Sequence, residues 1–460
     1  MSYQVSNTWQ VTADMLSADA VHNVASDNAV SDDAVIGLSD PRSLGITPVK
    51  DNAKYITLVE RHVISEHHPY FTECKHLTYL SKNIYNTALH DTRQAFFDGD
   101  ARMESFHQLI TRYARDNNYH YRQLPAKVAR GSVKLVTAAW SAYFELLKLA
   151  QRGELEGPVG IPSYKRDGAQ VVVYDKQALS TRKRKGYVHL SQTNIYIQTS
   201  VTPQFARIVP GGNHYIIEIG YRKNLPKLPT IPDHLRRYAS IDIGVNNLAA
   251  IASNVAAPLL INGKPLKSIN QWYNKQKAKA QAVLTHGRKT SKRISRMSRR
   301  CRDKIDHYMH NASAYIVNYL VTHGIDTLVI GHNPGWKQNI NLGKRNNQNF
   351  VSLPFTKLIS QLMYKCRLRG IRAVLQEESY TSKCSFLDNE PVEKHHIYRG
   401  RRVHRGLFVS SDGTYINADI NGALNILRKY CESQVAWNDS LWSDCVEVCS
   451  TPVRYTVPFR

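Results

Sequence analysis

The second half of this chain predicts an α/β domain, and the first half a β domain interrupted by helices. Three observations carry that reading. Apolar runs at 238–244 (Tyr-Ala-Ser-Ile-Asp-Ile-Gly), 325–330 and 371–375 alternate with helical patterns at about 307–323 and 354–368, which is how a sheet covered by helices is written. Apolar residues recur at helical spacing from about 71 to 149, as in Leu77, Leu80, Ile84, Tyr85 and Leu89. From 158 to 222 the pattern changes to alternation, so that Val172, Ile197, Ile208 and residues 216–219 would line a small antiparallel barrel or sheet.

In order along the chain, residues 1–53 are rich in Ala, Ser, Asp, Asn and Val and poor in aromatics, which predicts a mobile acidic extension. A strand-like run, Tyr55-Ile-Thr-Leu-Val, opens a β domain over 54–236, with a helical insert at about 70–150. Tyr113, Tyr119 and Tyr121 interleave there with Arg112, Arg122, Lys127 and Arg130, and read first as aromatic cores of amphipathic helices. Pro226, Pro229 and Pro232 mark a linker, the α/β domain follows over 237–430, and 431–460 reads as a tail.

At 460 residues the chain has room for two or three cores. Its net charge of +24 is uneven, because residues 1–54 hold seven Asp against Arg42, Lys50 and Lys54. So large an excess repels itself unless a polyanion neutralises it, and nucleic acid is the expected partner. A membrane surface is the rival, but there is no apolar run of roughly 18 residues and no basic amphipathic helix with a bulky apolar face. The N-terminus lacks a secretory layout, so a cytoplasmic, nucleoid-associated protein is expected. The seven Cys are expected to be reduced thiols.

Three acidic positions stand out. Asp242 lies between apolar residues and is followed by Gly244, and a buried carboxylate needs hydrogen bonds or a cation. Glu377 and Glu378 follow the apolar run 371–375 in Glu-Glu-Ser-Tyr-Thr-Ser-Lys383. Asp419 opens an amphipathic helix in Asp-Ile-Asn421-Gly-Ala-Leu-Asn-Ile, where it also suits a helix N-terminus. Three carboxylates at strand and helix ends of one α/β domain suggest a site for two Mg²⁺ ions about 4 Å apart, which hydrolyses a phosphodiester.

Ile-Asp-Ile-Gly-Val-Asn-Asn-Leu-Ala, then Tyr-Thr-Ser-Lys, then Asp-Ile-Asn-Gly-Ala-Leu-Asn-Ile resembles the TnpB/OrfB proteins of insertion sequences, relatives of compact type V CRISPR effectors. The resemblance spans about 55–430, with its three motifs within 238–430. It implies an RNase H-like (RuvC) nuclease domain preceded by a β-barrel wedge-like domain with a helical recognition insert. It further implies an RNA-guided DNA endonuclease of a mobile element, a transposase accessory protein that takes a guide RNA from its own element. The target would be double-stranded DNA, with base pairing reading the sequence. Asp242, Glu378 and Asp419 would be the Mg²⁺ ligands, with Glu377 as the alternative acid. Asn421 is expected to orient Asp419 or hold substrate, and Lys383 to contact phosphate.

Two departures from the family pattern matter. Most relatives carry the middle acid after the strand matching 327–330, where this chain has Gly331-His332-Asn333. The role passes to Glu378, as in rearranged members of the wider family. Relatives also carry two Cys-x-x-Cys pairs, yet Val409 and Asp412 stand where the second pair would be and Cys384 is almost alone in the first. The spacing of His395, His396 and His404 matches no standard zinc site. A zinc-free ribbon at about 384–415, held by Phe386, Leu387, Tyr398, Leu407 and Phe408, is therefore expected.

The remaining nucleic-acid contacts are expected from Arg288, Lys289, Lys292, Arg293, Arg296, Arg299 and Arg300 on a basic helix, and from Lys337, Lys344 and Arg345 in an Asn-rich loop. Trp336 would stack on a base or pack on the sheet. Two other functions fit the same residues: an RNA-guided DNA-binding protein that does not cut, and a strand-transferring transposase.

Overall fold

The computed structural model describes residues 49–98, 103–155, 157–166, 168–232, 235–285, 287–333, 353–435, 439–449 and 451–458. The predicted acidic extension, save its last few residues, and the loop holding Trp336, Lys337, Lys344 and Arg345 lie outside them. The described residues divide into two compact units, one within Thr57–Lys223 and the other made of 49–56 with those of Asn224–Arg460.

In the first unit, β1 (Tyr55–Ile64) leads into α1 (Phe71–Phe97), α2 (Phe106–Arg115), α3 (Tyr119–Arg122) and α4 (Ala126–Gln151). Six strands follow: β2 (Val172–Asp175), β3 (Leu179–Ser180), β4 (Tyr187–Leu190), β5 (Tyr196–Gln198), β6 (Pro203–Pro210) and β7 (Tyr215–Asn224). The expected barrel is instead two open sheets, ordered β1-β7-β6-β2 and β3-β4-β5. At the β2 edge a helix lies where a further strand would pair. A Cβ on Gly131 of α4 would sit 3.0 Å from the Val173 carbonyl oxygen, and Ser81 Oγ donates to Val171 O at 2.7 Å. Tyr113 and Tyr121 are buried, with the Tyr113 hydroxyl bonded to Asp91, so they belong to the helical core.

The second unit is built on one six-stranded sheet. Its strands are β8 (Tyr238–Asp242), β9 (Asn247–Ser253), β10 (Leu259–Asn262), β11 (Thr327–Gly331), β12 (Arg372–Gln376) and, much later, β16 (Val453–Tyr455), in the order β12-β11-β8-β9-β10-β16. Strands β8, β9 and β10 form an antiparallel meander, β11 runs parallel to β8, and β12 parallel to β11. Helices α5 (Lys264–Ala282), α6 (Lys292–Thr322) and α7 (Phe355–Leu368) share one core with Ala239, Ile241, Ile251, Leu259, Leu328 and Ile330. Helix α8 (Ala418–Gln434) shares the other with Tyr238, Ala250, Ala252, Leu260 and Val329. This alternation is the strand period of two, with both faces buried. A small sheet of β13 (Arg401–His404), β14 (Leu407–Val409) and β15 (Tyr415–Asn417) precedes α8.

Two boundaries differ from expectation. The proline segment travels with the second unit, because the buried Arg367 donates to the carbonyls of Pro226, Asp51 and Ala53. The expected tail is structured: α9 (Asp439–Glu447) packs its buried Cys445 into the α8 core, and β16 pairs in parallel with β10. Tyr455 of β16 stacks on Tyr315 at 3.5 Å between ring centroids. Among the described residues, no helix is long and apolar enough to cross a membrane.

Candidate active site

The parity of β8 decides where Asp242 points. Tyr238 and Ser240 face α8, so Asp242, two further on, does so too. Two devices let strand and helix approach this closely. Ser240 Oγ donates to Ala423 O at 2.6 Å, and a Cβ on Gly422 would lie 2.9 Å from Asp242 Oδ2. Asn417 starts the helix by accepting from the Asp419 and Ile420 amides, which sets Asp419 in its first turn, one turn before Gly422.

Glu378 reaches the same place from a neighbouring strand. In register Gly331 of β11 pairs with Gln376 of β12, while Ile330 pairs with Ile241, so β8, β11 and β12 end side by side. His332 N donates to Gln376 O at 2.9 Å, holding the chains together just past the strands. Gly331 lacks the side chain that would fill the end of β11, and the Glu378 carboxylate uses that space: a Cβ on Gly331 would be 2.7 Å from Glu378 Oε2. Asn333 grips the acid from both ends. Its Oδ1 accepts from the Glu378 amide at 3.1 Å and its Nδ2 donates to Glu378 Oε1 at 3.4 Å.

The electrostatics are those of acids crowded together. Burial, then the fields of Glu378 and Asp419, push the Asp242 carboxyl up to about 7, with Arg402 pulling the other way. Burial, then the charge of Glu377, push Glu378 up to about 7 as well. Asp419 is bonded on both oxygens: Asn247 Nδ2 donates to Oδ2 at 2.7 Å and Arg402 Nη2 to Oδ1 at 3.0 Å.

The adjacent acid, Glu377, is turned elsewhere. It is exposed, bonds Lys429 and the Ser379 amide and hydroxyl, and its carboxyl lies below the usual range. Asn421 is also placed differently from expectation. It is fully buried, accepts from Phe386 N at 3.0 Å and donates to Cys384 O at 2.9 Å. With Asn425, which donates to the carbonyls of Thr381 and Cys384, it fastens the 381–386 turn onto α8 and does not touch Asp419 through these bonds. Lys383 is exposed, with Nζ 5.9 Å from the Tyr398 ring centroid.

In the ribbon Phe386 and Phe408 are buried, whereas Leu387, Tyr398 and Leu407 are only partly so. Carboxylates bind the loops: the buried Glu390 accepts from the amides of Ser385 and Arg399, and Asp388 accepts from the Ser411 amide. The basic run splits between the end of a loop and α6. Arg288 and Lys289 are exposed in the loop, and Lys292, Arg293, Arg296 and Arg300 are exposed on the helix. Arg299 turns toward Asp303 at 3.8 Å. Among the described residues, no three His, Cys, Asp or Glu side chains are drawn into a ready metal cage.

Sequence reading passed over Asn247, Asn333, Gly422 and Arg402. Asn247 and Gly422 lie inside the motifs already quoted, and Asn333 in the Gly331-His332-Asn333 stretch that departs from the family pattern. Arg402 carries no local signal, since its partner is a distant helix. Replacing Asn333 by Ala is expected to lower any activity of this site about tenfold while leaving the fold intact, and Asn333→Asp more, because it repels Glu378 and cannot donate. Turnover at saturating substrate, with a circular-dichroism melt beside it, checks both.

Two segments of the chain match known family models: residues 232–337 match OrfB IS605, a probable transposase, and 355–426 match the Cas12f1-like TNB domain. Asp242 falls in the first match, and Glu378 and Asp419 in the second. A TnpB-like protein, ORF457 of Acidianus two-tailed virus, is 21% identical over 406 residues, covering 77% of this chain and 82% of its own. Over these segments the chain is similar to the TnpB/OrfB proteins. A cryo-EM structure of a Cas12f1–sgRNA–target DNA complex covers 76% of this chain and 81% of its own at 13% identity, with a TM-score of 0.51. That likeness supports a TnpB/Cas12-like fold for this chain.

Proposed function

We propose that this chain is a metal-dependent, RNA-guided DNA endonuclease of a mobile element, with its cutting centre in the second unit. The observation that carries the reading is the meeting of Asp242 and Glu378 beside the first turn of α8, where Asp419 stands. Two of these carboxyls are raised to about 7, and Asp242 feels the other two. The similarity to TnpB/OrfB proteins supports it, as does the strand order, in which an antiparallel meander is extended by two strands parallel to its first, as in RNase H-like nucleases.

The donor set fits Mg²⁺. Carboxylate oxygens are the hard ligands this ion takes, and crowded acids gain most from a cation between them. Asp242, Glu378 and Asp419 would hold it; bound there, it supplies activation of a water and charge stabilisation on the leaving oxygen of a phosphodiester. The chain's own part is positioning. Asn333 and Asn247 aim Glu378 and Asp419, while Gly331 and Gly422 leave room for Glu378 and Asp242. The exposed arginines and lysines of 288–300 offer a phosphate-binding face, and base pairing to a guide RNA would choose the target.

One observation favours a second reading, RNA-guided DNA binding without cleavage: the three acids do not close into a metal cage as they stand. A single preparation separates the readings. RNA that co-purifies is sequenced, and the same protein is given DNA matching that RNA, with Mg²⁺ or EDTA. One non-coding species and Mg²⁺-dependent double-strand cleavage are expected. Such a species with binding but no cleavage would leave the second reading, and bulk ribosomal fragments alone would remove both.

A further inference from the structure

Arg402 is a positive charge set against the acidic end of α8. It stands on β13, where all four residues are exposed, at the edge of the small sheet. Its side chain is 42% exposed, so water lies on one side of the guanidinium and Asp419 on the other. The pairing leaves Asp419 bonded on each oxygen, by Arg402 at 3.0 Å and by Asn247 at 2.7 Å. The two donors are not equivalent. Asn247 is neutral and sits at the start of β9 in the sheet, whereas Arg402 brings a guanidinium charge. A divalent cation approaching Asp419 can keep the asparagine bond but is repelled by the guanidinium. The same charge reaches Asp242, where it acts against the crowding of the acids.

We propose that Arg402 is a built-in counter-ion of the carboxylate site, which occupies Asp419 in the absence of divalent cation and, when cation enters, swings outward to hold a phosphate of the nucleic acid. This rests on the reading of Asp242, Glu378 and Asp419 as a cation site. The guanidinium suits both duties, since its planar donors match a carboxylate and a phosphodiester alike. The strand it rides on favours the exchange. β13 pairs with β14 through Arg401, Arg402 and His404 with an irregular register, and Gly406, at φ +96°, makes the turn. Cation and DNA binding are then coupled through one side chain, and such coupling is reciprocal.

The test uses the full chain, freed of nucleic acid in high salt, and Mn²⁺ alone as the first probe, followed by calorimetry. Arg402→Gln is expected to bind Mn²⁺ about fivefold more tightly than the parent, the scale of one partly exposed ion pair removed. Arg402→Lys, which keeps the charge, should stay near the parent. Unchanged or weaker Mn²⁺ binding in Arg402→Gln would overturn the proposal. Asp242→Asn serves as the separate control: if it leaves Mn²⁺ binding of the parent untouched, the cation site itself is wrong and the counter-ion falls with it. Duplex DNA is the second probe. Arg402→Gln should bind it several-fold more weakly in Ca²⁺ yet equally well in EDTA, where the parent's arginine is tied to Asp419. Equal losses in both conditions would reduce Arg402 to a plain phosphate contact and refute the exchange.

Discussion

Asp242→Asn is expected to lose cleavage by about a thousandfold and, at the same time, to melt higher than the parent in EDTA at pH 8. The loss follows from the proposed function, in which Asp242 would lend an oxygen to a metal centre worth several kcal/mol to the rate. The gain follows from the crowding of the acids. Burial and the charges of Glu378 and Asp419 hold the Asp242 carboxyl near 7 in the folded chain, against an ordinary value of 3.8. The folded state therefore keeps a proton that the unfolded state has released between about pH 4 and 7. Over that window stability falls as pH rises, then levels off above 7. Three pH units at about 1.4 kcal/mol each set a ceiling of roughly 4 kcal/mol, and Glu378 adds in the same direction. Melting in EDTA from pH 5 to 8 should show this slope in the parent and a shallower one in Asp242→Asn. Mg²⁺ should raise the parent's midpoint more at pH 8 than at pH 5.5, because protons compete for the same oxygens. A variant that melts lower than the parent at pH 8 would contradict the crowding on which the assignment stands.

Gly331→Ala is expected to fold and to cut about a hundredfold more slowly. The new methyl would stand 2.5 Å from Ile426 Cδ1, 2.7 Å from Glu378 Oε2 and 3.3 Å from Ile241 O. The first two are ends of flexible side chains and can move, so the sheet survives; the backbone oxygen cannot, so the methyl stays where it is. What moves is Glu378, and a displacement of about 1 Å at a reacting centre costs on the order of a hundredfold. A stronger form of the test transfers the acid. Gly331→Glu combined with Glu378→Gly should recover at least about tenfold over Glu378→Gly alone, if the ends of β11 and β12 offer the same position to a carboxylate. Single-turnover cleavage rates, with melting curves to verify folding, decide both.

These two glycine and carboxylate effects mark where sequence and structure part company. The strands of the second unit were legible because both faces are buried and the runs are continuously apolar, and its helices because their apolar stripes face one core each. Asp242 was conspicuous as a carboxylate amid apolar neighbours, and Asp419 as the acid that opens an amphipathic helix. Between Glu377 and Glu378 the text of the chain is nearly symmetrical. Lys429 and Ser379 take one and Asn333 takes the other, and all these contacts except Ser379 lie far off in the sequence. Asn421 misled for a related reason, since a buried amide two residues from a site acid serves the adjacent turn instead. The proline segment looked like a linker by composition, yet Arg367 clamps it to the second unit. Val453–Tyr455 is too short for a strand signal and gains its order from pairing with β10. Arg402 shows the limit most clearly: nothing local distinguishes it from its neighbours Arg401 and Arg405.

The most direct test of the central claim is anomalous diffraction from crystals soaked in Mn²⁺. Two peaks about 4 Å apart, within bonding distance of the carboxylates of Asp242, Glu378 and Asp419, are expected, with Glu377 still on Lys429. Mn²⁺ bound elsewhere, with Glu378 left on Asn333 alone and no metal between it and the two aspartates, would contradict it.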